Sequence, residues 1–220
     1  MNELLFKSLY KTDCSLVYNE LVKYTYAHKI IADISNIIKE AILSLDCDFI
    51  EVENGIFIHR DAHISKNATI LAPCIIDKNA DIRHSAYLRG NVIVGKDCVV
   101  GNSCELKSAI LFDGACVPHF NYVGNSLLGY KSHLGAGAII SNLKSDKSNV
   151  KIDINGQKTD TGSRKFGALV GDFCEVGCGS VLNPGTVLMP HSTIYPLSCV
   201  RGTVPENSIY KGKGNIVKRW

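Results

Sequence analysis

Between Ile58 and Val117 the apolar positions recur every six residues. Positions 58, 64, 70, 76, 82, 88, 94, 100, 106 and 112 read Ile, Ile, Ile, Ile, Ile, Leu, Val, Val, Leu and Phe. Four residues after each stands Ala62, Ala68, Cys74, Ala80, Ala86, Val92, Cys98, Cys104, Ile110 or Cys116. A fixed internal period of this kind marks a repeat architecture. The pattern predicts a solenoid in which each unit is a short strand and a tight turn. The large residue points inward, and the small one also points inward where the chain turns a corner. Three units make a triangular coil of about 18 residues, and coils stack as parallel strands about 4.8 Å apart. One coil cannot bury its own interior, so stability comes from stacking.

Residues 1–48 do not follow the period. Leu16, Val17, Leu21 and Tyr24, and then Ile34, Ile37, Ile38, Ala41, Ile42 and Leu45, recur at helical spacing. They predict two amphipathic helices, with Asp13 or Ser15 as a cap for the first. Their expected place is against the solenoid or a partner subunit, covering the open first coil. Glu51–Phe57 reads as a lead-in strand with a turn at Asn54–Gly55. Residues 49–220 are then one solenoid domain. The register slips by one near Tyr122 and resumes at Leu128, Leu134 and Ile140. After Asn142 it stops for an insertion over 143–169, in which Asn155–Gly156 predicts a hairpin with a type I′ turn. Repeats return at Val170, Val176, Leu182, Leu188, Ile194 and Val200, for about seven coils in all. A basic tail over 206–220 carries Lys211, Lys213, Lys218 and Arg219.

Composition adds few constraints. The 220 residues carry a net charge of +3, too little to argue for nucleic acid. No apolar run is long enough to span a membrane, and the first residues lack the apolar core of a signal peptide. A cytoplasmic protein is expected. Of the nine cysteines, Cys74, Cys98, Cys104, Cys116 and Cys174 fall at small inward positions, where a thiol packs as a small hydrophobe. No CxxC spacing is present, and no metal site is expected.

Some residues break the pattern. Arg89 and Lys107 each follow an inward residue, so they point outward one coil apart on the same face. Cations that close repel unless an anion such as a phosphate lies between them; the plain alternative is two solvated surface charges. His119 follows in Pro118-His-Phe-Asn-Tyr-Val-Gly-Asn-Ser126, and histidine is the usual general base near neutral pH. Leu134-Gly-Ala-Gly-Ala138 then places small residues on an outward turn, where a ligand can approach the backbone or the chain can simply turn tightly.

These residues carry a resemblance. The period is similar to the left-handed parallel β-helix of the hexapeptide acyltransferases, and the left hand is implied by that resemblance alone. The stretch RGNVIVGKDCVVGNSCELKSAILFDGACVPHFNYVGNS, then HLGAGAIISN, resembles the acetyltransferase half of the bacterial bifunctional N-acetylglucosamine-1-phosphate uridylyltransferases. It is closer still to the archaeal sugar-1-phosphate nucleotidylyltransferase/acetyltransferases. There PH-x-x-YVGDS, GAG-x-x-x-xN and a later GRRK-G motif occur in the same order, and the likeness covers about residues 80–205. It implies a mainly β fold with a short helical start and a hairpin insertion, assembled as a homotrimer. It implies acetyl-CoA as co-substrate, no metal, and a part in making nucleotide sugars such as UDP-N-acetylglucosamine.

The resemblance also implies roles. His119 matches the catalytic base and Asn142 an active-site asparagine beside it. Arg89, Lys107 and Tyr122 match residues that hold the sugar phosphate. Lys147 and Lys151 lie where the family supplies further lysines for it, Lys147 one position off the archaeal spacing. Ala136 matches a backbone contact to the thioester. Cys178 and Pro196 match contacts to the pantetheine arm, and Lys213 could meet the nucleotide end of coenzyme A. His133 stands where the family has an asparagine that contacts the sugar, which leaves the acceptor open. The Gly-rich L-x-A-G-x-G-T-R signature of nucleotidyl transfer has no counterpart here. The implied activity is N-acetylation of a hexosamine-1-phosphate without nucleotidyl transfer. His119 and Arg89 need not share a side of the prism, so the expected site is a groove between subunits.

Two other readings stand beside this one. One is a non-catalytic trimer that binds sugar phosphate or nucleotide sugar as a scaffold or sensor. The other is a zinc enzyme like the γ-class carbonic anhydrases, for which His59 and His63 lack a third histidine at coil spacing.

Overall fold

The computed structural model describes residues 5–11, 13–154 and 156–219. The six-residue period folds into a parallel β-helix of about eight coils. Its first face runs from Ile56–His59 through Cys74–Ile76 and Val92–Val94 to Thr203–Val204. The second runs from His63–Ile64 to Ser208–Gly212, and the third from Thr69–Leu71 to Cys199–Val200. Two strands, Glu105–Leu111 and Tyr122–Leu128, continue round the corner from the third face to the first. The interior is a single column of Ile, Val, Leu, Ala and Cys.

The register corrects the sequence reading in its middle. Ile56↔Cys74↔Val92 keeps the full three-unit period, but Val92↔Ala109 and Tyr122↔Ile139 are one residue short. At Arg89-Gly90-Asn91 three residues turn the corner; at Lys107-Ser108 and at Gly124-Asn125 only two do. The slip therefore begins at Lys107, earlier than Tyr122. Beyond it Leu111, Ala115 and Val117 point inward. Ile110 and Phe112 point outward, and Cys116 is half-buried outside the interior column. Cys74, Cys98, Cys104 and Cys174 do fill the interior. Burial pushes the thiols of Cys74 and Cys98 well up, that of Cys174 to about 12 and that of Cys104 upward, so these four stay protonated.

The helical start is also arranged differently. It forms two single turns, α1 (Phe6–Leu9) and α2 (Tyr18–Leu21), and one long helix, α3 (Ile30–Ile42). Val17 holds the N-cap of α2; Ser15 Oγ accepts the Val17 N–H at 3.4 Å instead of capping the helix. α3 buries Ile30, Ile34, Ile37 and Ile38. They pack in one cluster with the outward side chains of Ile75, Ile93, Ile110 and Leu127 on the first face. The segment thus covers a side of the prism. The open first coil keeps Ile58, Ala62, Ile64, Ala68 and Ile70 only partly buried. The cause lies in the strands: those of the first face are apolar outward as well as inward. Each large side chain so covered contributes about 1.5–3 kcal/mol.

Phe49–Glu53 pairs antiparallel with Ile56–His59 through Gly55 (φ +79). In the insertion Lys151–Ile154 pairs antiparallel with Gln157–Asp160, as expected; Asn155 of its turn lies outside the described residues. Val150, Ile152 and Phe166 extend the cover over Leu169 and Val187 of the first face. Among the described residues no helix is long and apolar enough to cross a membrane.

Candidate active site

At the edge between the second and third faces five successive coils, from the third on, each turn through one left-handed residue. These are Ser103 (φ +53), Phe120 (+53), Gly137 (+70), Gly179 (+67) and Leu197 (+59). The residues just before them are Asn102, His119, Ala136, Cys178 and Pro196. Backbone bonds tie the turns together. Phe120 N–H reaches Asn102 O at 2.9 Å, and Gly137 N–H reaches His119 O at 2.9 Å. Gly179 N–H reaches Ala136 O at 2.8 Å, and Leu197 N–H reaches Cys178 O at 2.9 Å. His119, Ala136, Cys178 and Pro196 therefore stand in one ladder on consecutive coils, about 14 Å long. All four are exposed. A Cβ on Gly135 would lie 2.6 Å from Cys178 N, and one on Gly177 would lie 2.4 Å from Pro196 N, so only glycine lets the coils close here.

Asn121 fixes this edge from within. It is 2% exposed. Its Oδ1 accepts the His119 N–H at 3.0 Å, and its Nδ2 donates to Gly135 O at 2.8 Å and Ala138 O at 3.1 Å. It thereby joins the backbone of His119 to the turn that carries Ala136. Gly135 N–H and Gly137 N–H are both taken, by Val176 O and His119 O. Ala136 N–H has no partner among the described residues, which leaves a backbone donor free on the exposed edge.

The cations lie on the third face. His119 ends the strand Cys116–His119 and Tyr122 opens the third-face strand three residues later. That chain length limits their Cα separation to about 11 Å. His119 thus borders the face that bears Arg89, Lys107 and Tyr122, instead of lying on an unrelated side. Arg89 Nη1 donates to Glu105 Oε1 at 2.6 Å, so part of the anion expected beside it is already present. Lys107 lies beside Lys165 of the insertion. Lys165 above all, then desolvation and Arg89, push the Lys107 ammonium below the usual lysine range. A cation held among cations favours a bound anion.

Tyr122 Oη and Asn142 Nδ2 both lie against Gly124, and Asn142 Nδ2 donates to Asn125 Oδ1 at 2.7 Å. Burial, and next the Glu105 carboxylate, push the Tyr122 phenol up. A Cβ on Gly124 would lie 2.6 Å from Asn142 Nδ2 and 2.7 Å from Tyr122 Oη, so the glycine makes room for the pair.

Other named residues lie apart. Lys147 lines a cleft of about 340 Å³ with Leu143, Ser163, Arg164 and Lys165. Lys151 does not reach that cleft. With Lys144, Lys158, Arg201 and Lys213 it lines a second cleft of about 680 Å³, whose one acid is Asp153. His133 is on the second face, its Nδ1 2.9 Å from Glu175 Oε2. His59 is buried between Asp48 and Asp61, 3.9 Å from each, and among the described residues no three His, Cys, Asp or Glu groups converge as ligands.

Sequence reasoning passed over Glu105, Asn121, Asn125 and Lys165. The signal for Lys165 was present: it is the lysine of Gly162-Ser-Arg-Lys-Phe-Gly167, which corresponds to the family's GRRK-G motif.

A coil stack with a glycine-lined edge and a cationic face defines a hexapeptide-repeat β-helix protein. Residues 70–204 match the family described as the GMPPB C-terminal domain, and the chain belongs to that family. It is 30% identical over 164 residues to a bifunctional sugar-1-phosphate nucleotidylyltransferase/acetyltransferase of Sulfurisphaera tokodaii, covering 74% of this chain and 41% of that protein. It is 35% identical over 136 residues to the bifunctional protein GlmU of Methanococcus vannielii, covering 61% of this chain and 32% of that protein. The chain therefore spans less than half the length of these relatives. Among solved structures, the acetyltransferase domain of PglB from Neisseria gonorrhoeae is 18% identical, covers 80% of this chain and 60% of its own, and has a TM-score of 0.30.

Proposed function

We propose that the protein transfers an acetyl group from acetyl-CoA to the amine of a hexosamine-1-phosphate. One observation carries this reading: the exposed ladder His119–Ala136–Cys178–Pro196 borders the face that bears Arg89, Lys107 and Lys165. An extended thioester arm can follow the ladder, and an anionic acceptor can lie on the face, with their reacting ends meeting at His119. The name of the Sulfurisphaera tokodaii relative supports the same chemistry.

In this mechanism Arg89, Lys107 and Lys165 hold the phosphate, and Tyr122 and Asn142 line the floor beneath the sugar. His119 takes the proton from the acceptor amine, a step worth about 10²–10⁴ in rate. The amine nitrogen bonds to the thioester carbonyl carbon, and the free Ala136 N–H meets the oxyanion that forms. Collapse breaks the C–S bond and coenzyme A leaves as the thiol, taking up a proton. Binding both substrates along one edge supplies proximity. No side chain is acylated on the way.

The protein is further read as a cytoplasmic homotrimer. Cys74, Cys98, Cys104 and Cys174 pack in the interior column as small hydrophobes, a use of cysteine suited to a reducing compartment. The first face is covered by the chain itself, which leaves the other two for self-association. The deciding experiment is release of free thiol from acetyl-CoA with glucosamine-1-phosphate and galactosamine-1-phosphate. Turnover that disappears in His119→Ala is the expected result. A folded protein without turnover on any amino-sugar phosphate or nucleotide-linked amino sugar contradicts the reading.

A further inference from the structure

The backbone of His119 is held on both sides, and its ring is not. Asn121 Oδ1 accepts the His119 N–H, and Gly137 N–H donates to its carbonyl. Among the described residues neither ring nitrogen has a hydrogen-bond partner. An imidazole acts as a base at one nitrogen only while the other carries hydrogen. The hydrogen bond made by that second nitrogen decides which tautomer is present. Asn121 cannot supply it, because both ends of its amide are engaged in the interior.

The ladder offers an acceptor on the preceding coil. His119 pairs in register with Asn102, so their Cα atoms lie about 4.8 Å apart and their side chains run side by side. Asn102 is half-exposed. Its Nδ2 donates to His84 O at 3.3 Å, one coil further back. A carbonyl oxygen at that spot needs the amide nitrogen opposite it, which turns Oδ1 away from that coil. Among the described residues Oδ1 has no partner.

The titratable groups round His119 leave this place open. His84 stands two coils back on the ladder, about 10 Å away. His133 lies on the second face with its Nδ1 2.9 Å from Glu175 Oε2. Glu105 and Tyr122 open the neighbouring strands of the third face, and Glu105 is paired with Arg89 at 2.6 Å. Both nearby carboxylates are therefore occupied, and Asn102 Oδ1 is the free acceptor beside the ring.

We propose that Asn102 is a positioning residue: its Oδ1 accepts a hydrogen bond from His119 Nδ1–H and so aims the Nε2 lone pair at the acceptor amine. The inference rests on the acetyl-transfer reading and adds the group that orients its base. His119 Nε2 takes the amine proton, and the proton on Nδ1 stays where Asn102 holds it.

The test reads the ring directly, by nitrogen-15 NMR of the full chain with labelled histidine, His119→Ala identifying the signals. In its neutral form the wild-type His119 ring should carry hydrogen on Nδ1. In Asn102→Ala it should move to the Nε2–H form that free histidine prefers. An Nε2–H ring in the wild type, or a tautomer that Asn102→Ala leaves unchanged, overturns the proposal. In turnover, Asn102→Ala should lower kcat about tenfold with KM for both substrates unchanged. Asn102→Asp keeps an acceptor oxygen and adds a charge that favours the imidazolium. It should restore most of kcat and move the acidic limb of the kcat/KM profile up by about 1 pH unit. A lower melting temperature with neither kinetic effect means a structural role only and overturns the proposal as well. A wild type without turnover on any acceptor instead overturns the acetyl-transfer reading, and the tautomer still decides whether Asn102 holds the ring.

Discussion

Asn121 shows how much of the edge depends on one inward side chain. Neighbouring coils place Cys104 and Ala138 at the equivalent small position; the Cys104 thiol donates to Val117 O at 3.0 Å, and the Ala138 methyl only packs. Asn121 satisfies one N–H and two carbonyls there. Asn121→Ala leaves those groups buried and unpaired, at about 1–3 kcal/mol for each group affected. The variant is expected to melt lower and to lose kcat while KM for acetyl-CoA holds. A loss confined to thermal stability would mean that Asn121 does not position His119. His119 is exposed, so His119→Ala should lower turnover by at least 10² without moving the melting temperature. His119 was readable from PHFNYVG; Asn121 was not, because its inward direction depends on a register slip that begins at Lys107, whereas the sequence pattern reveals it only near Tyr122.

A second residue-scale expectation concerns pH. Burial above all pushes the Asp113 carboxyl up to about 6. Its folded value lies above its ordinary one, so in that window the native state binds more proton than the unfolded chain. Its contribution to stability therefore falls as pH rises from about 4 to 6. Asp113→Asn removes the charge and keeps an Oδ1 to accept the Lys96 N–H. Its melting temperature relative to wild type should be higher at pH 7 than at pH 4.5. A difference independent of pH contradicts this.

Among the elements, the first face differs from the other two. Its strands Cys74–Ile76, Val92–Val94, Ala168–Val170 and Thr186–Leu188 are buried at every position, whereas Asp81–Ile82 and Glu175–Val176 on the second face alternate. Continuous apolar triplets are what strands covered on both sides look like. The triplets were visible in the sequence, but the inward period alone accounted for two of each three residues and hid the third. Phe112 is the sharpest case. The unbroken period places it inside; the short corner at Lys107-Ser108 turns it out, where its ring stacks on Tyr10 at 4.7 Å. Phe112→Ala should destabilise by about 3–5 kcal/mol. A double-mutant cycle with Tyr10→Ala should give a coupling of about 0.5–1.5 kcal/mol. An inward Phe112 would show none.

Over the whole molecule, ladder and face form one continuous surface. The ladder was legible because the repeat places residues from separate motifs on consecutive coils. The cation cluster was legible only in part, because Lys165 arrives from an insertion with no period to locate it. His133, which the family pattern sets near the sugar, is held by Glu175 on the second face. The covered first face leaves the second and third to meet other subunits, and sedimentation equilibrium should report a trimer; a monomer would contradict that assembly.

The central claim is that the acyl donor runs along the edge from His119 past Ala136, Cys178 and Pro196. Cys178 is an exposed thiol in the middle of that track, and Cys47 is an exposed thiol far from it in sequence and outside the ladder. The direct measurement is the rate of iodoacetamide labelling at each cysteine, read by peptide mass spectrometry, with and without desulfo-coenzyme A. Slowed labelling of Cys178 with Cys47 unchanged is the predicted result. Equal labelling of Cys178 in both conditions, at a concentration where the ligand is bound, would contradict the account.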